Sequence, residues 1–170
     1  MAIILGIDPG SRITGYGLVE QQGTMIKHVD HGHITTRGDS MAERLLQIHE
    51  KIIEVVHQYQ PQQAAIEQVF VHINPQSALK LGQARGAALV AMASCGLALH
   101  EYSAKQIKQS VVGYGGADKA QVQHMVRCLL KLTQSPQVDA ADGLAAAICH
   151  CHSHQLQSRL QQAKITAGSK

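Results

Sequence analysis

An apolar run that ends in a carboxylate opens the chain and restricts the folds that it can adopt. Residues 2–7 are all apolar or glycine, and Asp8-Pro9-Gly10 follows them directly. A short apolar run bounded by a turn is typical of a strand that is buried on both faces of a sheet. Asp8 would then lie at the end of a central strand, where a buried carboxylate is costly without a compensating partner. The sequence therefore predicts a buried strand over residues 2–8 with a polar site at its end.

The composition is that of a single globular domain. The chain has 170 residues, of which 45% are hydrophobic and 16% charged, and its net charge is +3. This balance excludes an acidic disordered chain and a histone-like basic one. No apolar run approaches the ~20 residues that cross a bilayer, and the first seven residues lack the basic segment of a secretory signal. We expect a cytoplasmic protein without a membrane span, with one domain over 1–155 and a flexible tail over 156–170.

The order of the predicted elements indicates a mixed α/β sheet. Alternating residues predict strands near 14–20 and 25–36, after the first one. Short apolar runs over 64–69 and 97–102 predict two more, separated by segments with helical periodicity. Strands joined by short turns and followed by helix–strand alternation favour a mixed sheet flanked by helices. The helices are predicted over 40–59, 77–95, just after Ser103, over 118–131 and from Val138 onward. Capping boxes are predicted at two of them, from Ser40 with Glu43 and from Ser103 with Gln106.

Four acids stand at positions that are typical of metal-binding or catalytic carboxylates. Asp8 and Glu67 each end an apolar run, whereas Asp139 and Asp142 share one face in the first turn of a helix. Each has a local alternative. Asp139 and Asp142 could be ordinary acids at a helix start, Asp8 a turn former and Glu67 the partner of a single basic residue. Together they form a cluster that divalent cations would neutralise, and ligand sets made only of oxygens select Mg²⁺ or Mn²⁺. Two such ions can activate a water and stabilise the leaving oxygen of a phosphodiester.

The basic charge is concentrated in the middle of the chain. Residues 80–131 contain seven lysines and arginines and two acids, a net charge of +5. Such a concentration is typical of a phosphate-binding face, although an ordinary solvated helix surface is the alternative. Gly115-Gly116 precedes a predicted helix and offers free N–H groups to a phosphate.

A segment rich in cysteine and histidine, residues 149–154, holds five potential metal ligands. Structural zinc sites usually draw their ligands as two separated pairs, and no second pair lies nearby in the sequence. We therefore expect the end of a helix with a few solvated histidines. The four cysteines are expected to be reduced thiols.

Several segments resemble the RuvC family of crossover junction endodeoxyribonucleases. The resemblance runs in order over about residues 1–155 and implies a ribonuclease-H-like fold, with a five-stranded mixed sheet and helices on both faces. The matching segments are Met1–Arg12, Thr14–Gly17, Ala65–Phe70, Ser77–Gly86, Gln121–Arg127 and Asp139–Asp142.

The resemblance also implies an activity. Enzymes of this family act as homodimers that place two symmetric nicks in a four-way (Holliday) DNA junction, leaving 5′-phosphate and 3′-hydroxyl ends, in recombination and DNA repair. It implies two Mg²⁺ ions per active site, with Mn²⁺ as a substitute, and a branch-migration motor complex as a partner. The metal-binding and catalytic acids of the family correspond to Asp8, Glu67, Asp139 and Asp142.

Five further residues are predicted to contact DNA. Lys108 and Lys119 match family lysines implicated in activity, and Lys80 and Arg85 are expected to bind phosphate in the same way. Phe70, the single phenylalanine of the chain, corresponds to an aromatic that stacks on an unpaired base. A core position is the alternative for Phe70.

Three other functions are compatible with parts of the pattern. An actin-like or sugar-kinase-like ATPase has a similar opening strand and loop, but it normally needs a second domain. An RNA-processing nuclease shares the fold and is typically shorter. A junction-binding module without catalysis would not depend on the four acids.

Overall fold

Five strands form one mixed sheet in the spatial order β3-β2-β1-β4-β5. The structure, a computed structural model, describes residues 1–69 and 74–167, with side chains up to residue 156. β1, β2 and β3 are antiparallel neighbours, whereas β4 runs parallel to both β1 and β5. The strands are β1 (Ala2–Asp8), β2 (Ile13–Gln22), β3 (Met25–Thr35), β4 (Gln63–Glu67) and β5 (Ala98–Tyr102). The helices are α1 (Met41–Tyr59), α2 (Pro75–Ser94), α3 (Ala104–Val112), α4 (Lys119–Leu129) and α5 (Val138–Ala167).

Helices cover both faces of the sheet, which confirms the predicted architecture. One core lies between the sheet and helices α1 and α2, and the other lies beneath α3, α4 and α5. β1 contributes to both, because successive strand side chains point to opposite faces: Ile4 belongs to one core and Leu5 to the other. Burial on both faces explains why the first strand is continuously apolar.

Helix α5 lies directly on the backbone of β1 and β2, because glycines face it. A Cβ atom placed on Gly6 would lie 2.0 Å from the carbonyl oxygen of Gly143, and one placed on Gly15 would lie 1.9 Å from that of Asp139. A Cβ atom on Gly143 would in turn lie 2.7 Å from the main chain of Tyr16. No side chain fits between the helix and these strands, so the position of α5 on the sheet is closely defined.

Of the two predicted capping boxes, the one at the start of α1 is wrong and the one at the start of α3 is confirmed. Ser40 precedes α1, but its side chain makes no capping hydrogen bond. The predicted capping box is wrong because the Glu43 carboxylate turns towards Gly38, where Oε2 lies 2.6 Å from the position of an added Cβ. The capping box of Ser103 and Gln106 at α3 is confirmed.

The last helix continues beyond the point where the sequence suggests fraying. The sequence predicts a flexible tail over 156–170, whereas the backbone of α5 is helical to Ala167. The domain boundary at residue 155 stays a prediction.

One histidine of this segment, His150, differs from the solvated cluster that the sequence suggests, whereas His154 is exposed. His150 is only 2% exposed, with Nδ1 2.8 Å from the hydroxyl of Tyr102 and Nε2 2.7 Å from Oε1 of Gln63. Since an amide oxygen only accepts, Nε2 carries the proton and Nδ1 accepts from Tyr102. The imidazole therefore joins α5 to β4 and β5 as a neutral core group.

We expect His150 to make folding stability fall at acidic pH. Burial, with smaller contributions from His100 and His154, lowers the pKa of His150 from 6.5 to about 4. The unfolded chain therefore binds a proton near pH 6.5 that the folded chain excludes, and stability falls as the pH drops from 6.5 to 4. When the pH is lowered from 7 to 4.5, the free energy of unfolding measured in urea should fall by about 2 kcal/mol more in the wild type than in His150→Gln. An equal loss in both proteins would contradict this role of His150.

Candidate active site

The parallel pairing of β1 and β4 brings two acids together. Ile7 pairs with Ile66, so Asp8 and Glu67 follow at the same edge of the sheet. The side chains before them are fully buried, which holds both strand ends in place. Both acids line one cavity of about 220 Å³.

The beginning of α5 brings the other two acids to the same edge. Gly15 pairs with Asp8 across β1 and β2, and the main chain of Asp139 lies against Gly15. One helical turn later, Asp142 lines the cavity with Asp8 and Glu67. Asp139 does not belong to the lining of this cavity, but its charge raises the pKa of both Asp8 and Asp142.

Two lysines complete the wall of the cavity. Lys108 comes from α3 and Lys119 from the first turn of α4. Nζ of Lys119 lies 3.2 Å from Oδ2 of Asp142. A second cavity, of about 170 Å³, extends from Asp8 and Glu67 towards Val69. The site thus combines carboxylates and ammonium groups in one concave surface.

Burial and mutual repulsion raise the pKa values of three of the carboxyl groups. Burial first, then the charges of Asp142 and Glu67, raise the pKa of Asp8 to about 8. Burial is also the main cause of the raised pKa of Glu67 and of Asp142. A cluster of this kind keeps a proton at neutral pH unless cations compensate its charge.

Lys119 compensates part of this charge, with a smaller contribution from Lys108. Burial lowers the pKa of Lys119, but the carboxylate of Asp142 and its hydrogen bond outweigh that effect, so the pKa is raised overall. Lys119 also lowers the pKa of Asp8 and of Glu67. Its ammonium group is therefore charged and is held against the carboxylate of Asp142.

We expect Asp8→Asn to stabilise the metal-free protein, increasingly so at higher pH. A folded-state pKa near 8, against 3.8 for an ordinary Asp, means that the stability contributed by protonated Asp8 is lost as the pH rises from about 4 to 8. Asparagine is never charged, so in EDTA at pH 8 the variant should be on the order of 3 kcal/mol more stable than the wild type. Urea unfolding at pH 5 and pH 8 measures the difference. A constant difference between the two pH values would contradict this account.

The chemistry of the donors fits a hard divalent cation. The cluster offers carboxylate oxygens alone, the ligand type that Mg²⁺ and Mn²⁺ prefer. Within residues 1–69 and 74–156, however, no three His, Cys, Asp or Glu side chains are arranged so that they could hold an ion together. The carboxylates therefore suit a divalent cation by their type and charge. One of them, Asp142, is bonded to Lys119.

The other predicted DNA contacts lie in different surroundings. Lys80 is exposed on α2, whereas Arg85 is hydrogen-bonded to the main chain of Glu67 and to Glu101. Phe70 lies outside the described residues. Glu101 was not predicted from the sequence, because no local pattern pairs it with Arg85, which lies 16 positions away on another element.

The glycine loop before α4 does not leave the helix start open for a phosphate. Asp118 caps α4, and its carboxylate accepts a hydrogen bond from the N–H of Gln121 at 2.8 Å. A carboxylate at this position repels a second anion, so the predicted phosphate cradle at Gly115-Gly116 is disfavoured.

No helix in the described part of the chain has the length and apolarity needed to span a membrane.

Comparisons with known proteins give a consistent result over nearly the whole chain. The family model described as "Crossover junction endodeoxyribonuclease RuvC" matches residues 4–150. The chain is 56% identical to the enzyme of that name from Marinobacter nauticus, over 99% of this chain and 97% of the relative. It is 58% identical to the one from Coxiella burnetii, over 96% and 95%.

A solved structure gives the same answer for the fold. The structure of Thermus thermophilus RuvC in complex with Holliday junction substrate matches with a TM-score of 0.86 and 32% identity. The match covers 92% of this chain and 97% of that one. The strand order, the flanking helices and the sequence similarity thus agree, and the chain belongs to the RuvC family of crossover junction endodeoxyribonucleases, which have a ribonuclease-H-like fold.

Proposed function

We propose that this protein resolves Holliday junctions by paired, symmetric hydrolysis of two phosphodiester bonds, leaving 5′-phosphate and 3′-hydroxyl ends. The observation that carries the proposal is the cavity in which Asp8, Glu67 and Asp142 meet Lys108 and Lys119. Its carboxylates suit metal-dependent hydrolysis and its lysines suit a phosphate backbone. Family membership adds the nuclease activity and a dependence on divalent metal.

The four acids are the proposed metal ligands and catalytic residues. Asp8 ends the central strand between Glu67 on one side and α5 on the other, so it is best placed to be shared between two ions. Glu67 would contribute to one ion and Asp139 with Asp142 to the other. When bound, two Mg²⁺ or Mn²⁺ ions would activate the attacking water and stabilise the leaving oxygen.

The lysines have a complementary role. Lys119 lies 3.2 Å from Asp142 and neutralises part of the acidic charge, and its ammonium group can contact a phosphate oxygen at the cavity. Lys108 lies in the same wall. Lys80, exposed on α2, and Phe70 are proposed to extend the DNA contact beyond the scissile phosphate. The lysine contact would position the backbone without reading sequence, whereas Phe70 is proposed to stack on an unpaired base.

A homodimer would match the two-fold symmetry of a four-way junction. Helix α2 offers a surface for it: Leu79 and Val90 are 65% and 60% exposed, and a Cβ atom on Gly86 would meet open space. The opposite side of α2 packs in the core through its buried alanines. We propose that the exposed side of α2 pairs with a second copy.

The biological setting follows from this proposal. A junction-resolving enzyme would act in the cytoplasm, in homologous recombination, DNA repair and the response to DNA damage. A branch-migration motor complex is the proposed partner.

The proposal is tested with synthetic DNA on a gel. We expect Mg²⁺-dependent symmetric nicks in a four-way junction, and much less cleavage of a linear duplex with the same arm sequences. Because binding neutralises phosphates, junction affinity should fall steeply between 50 and 200 mM salt. Cleavage of both substrates at equal rates would refute junction selectivity, and tight binding of ATP would favour the ATPase alternative.

A further inference from the structure

Arg85 links three elements next to the active site. Its Nε donates a hydrogen bond to the main-chain oxygen of Glu67 at 2.9 Å. Its Nη2 is bonded to the carboxylate of Glu101 on β5. The guanidinium group of an α2 residue therefore holds the last residue of β4 and its neighbouring strand together.

The bonded peptide is the one that leads out of β4. Glu67 pairs with Tyr102 in the parallel ladder, and the next N–H, that of Gln68, donates to the Tyr102 oxygen at 2.8 Å. Arg85 adds a bond from the other side of the chain at this point. Rotation of the backbone at Glu67 would break it, so the bond restricts the direction of the Glu67 side chain.

The surroundings of Arg85 disfavour direct binding of a phosphate. Its side chain is 18% exposed, against 69% for that of Lys119, and Glu101 compensates its charge. A phosphate would have to displace a carboxylate from a bond that already uses the planar donor geometry of the guanidinium group.

We propose that Arg85 is a positioning residue, which acts with Glu101 to orient Glu67 for metal binding, and that it does not contact DNA. This revises the sequence-based expectation that Arg85 binds phosphate, and it rests on the proposed metal-dependent function. Lysine cannot make both bonds from one planar group, so Arg85→Lys keeps the charge and loses the positioning.

The test compares Arg85→Lys, Arg85→Gln and Glu101→Gln with variants of an exposed ion pair elsewhere. Lys51 and Glu54 form an ion pair on α1 whose side chains are 56% and 61% exposed, so Lys51→Gln and Glu54→Gln serve as controls. The first measurement is the Mg²⁺ concentration that gives half of the thermal stabilisation without DNA. The second is junction affinity in EDTA as a function of salt, and the third is the cleavage rate at saturating DNA.

We expect both Arg85→Lys and Glu101→Gln to raise the Mg²⁺ midpoint about tenfold, the usual effect of losing a group that orients a metal ligand. Cleavage at limiting Mg²⁺ should fall in parallel, while junction affinity changes less than twofold and its salt dependence stays the same. The control variants should leave all three measurements unchanged.

The opposite pattern would overturn the proposal. If Arg85 contacts DNA, Arg85→Gln weakens binding and reduces its salt dependence, Glu101→Gln strengthens binding, and the Mg²⁺ midpoint does not move. Glu101 is nearly half exposed, so Glu101→Gln keeps the test valid even if an Arg85 variant folds poorly. If the wild type cleaves junctions and both variants have the same Mg²⁺ midpoint as the wild type, the positioning role alone is refuted. A wild type without Mg²⁺-dependent cleavage refutes the proposed function itself.

Discussion

Replacing Asp8 by Asn is expected to abolish Mg²⁺-dependent cleavage of a four-way junction while leaving junction binding intact. Asp8 lines the cavity together with Glu67 and Asp142, so its loss removes the ligand that we propose both ions would share. Metal ions contribute several kcal/mol to such reactions, and the rate should fall at least about a thousandfold. Binding should be as tight or tighter, because one negative charge near the DNA backbone is removed. Single-turnover cleavage and gel-shift titration of the same junction measure the two effects.

An exposed acid provides the control for charge. Asp39 lies in the loop before α1 and is exposed, so Asp39→Asn should cleave at the wild-type rate. Normal nicking by Asp8→Asn would end the metal-nuclease interpretation and favour a junction-binding module that does not use its acids. Loss of binding together with cleavage would place Asp8 in the DNA contact instead.

Replacing Gly6 by Ala is expected to destabilise the fold by at least about 4 kcal/mol. The added Cβ would lie 2.0 Å from the oxygen of Gly143 and 2.6 Å from the nitrogen of Ala147, both in the backbone of α5. Backbone cannot move aside as a flexible side chain can, so the whole helix has to shift. That shift also carries Asp139 and Asp142 away from Asp8. Urea unfolding at pH 7 and junction cleavage by the remaining folded protein are the two measurements.

A glycine within a helix gives the matched comparison. A Cβ atom on Gly82 of α2 would meet nothing within 4 Å, so Gly82→Ala should be neutral or stabilise the protein by up to about 1 kcal/mol. Similar stability changes in the two variants would mean that the close contact between α5 and β1 does not limit the fold.

Local patterns were sufficient to predict the sheet and its flanking helices. The apolar run before Asp8 reflects burial on both faces, and the alternation after Ile13 reflects a strand in an antiparallel pair. β4 ends at Glu67, two residues before the predicted boundary at residue 69. These features depend on residues that are close together in the sequence, so a local sequence pattern can predict them.

Features that depend on distant partners could not be predicted in the same way. His150 looked solvated among polar neighbours, and only the packing of α5 on β4 and β5 places it in the core. Arg85 looked like a phosphate ligand because its charge is visible in the sequence, whereas its bonds to Glu67 and Glu101 are not. The contact of α5 with Gly6 similarly joins residues that are more than 130 positions apart.

The late position of α5 in the chain has a consequence for biosynthesis. A ribosome adds roughly 5–20 residues per second, so roughly 7–26 seconds separate Asp8 from Val138, where α5 begins. Throughout that interval the nascent chain lacks Asp139 and Asp142, the two acids that α5 contributes. An incomplete translation product that lacks α5 therefore cannot assemble the proposed hydrolytic centre.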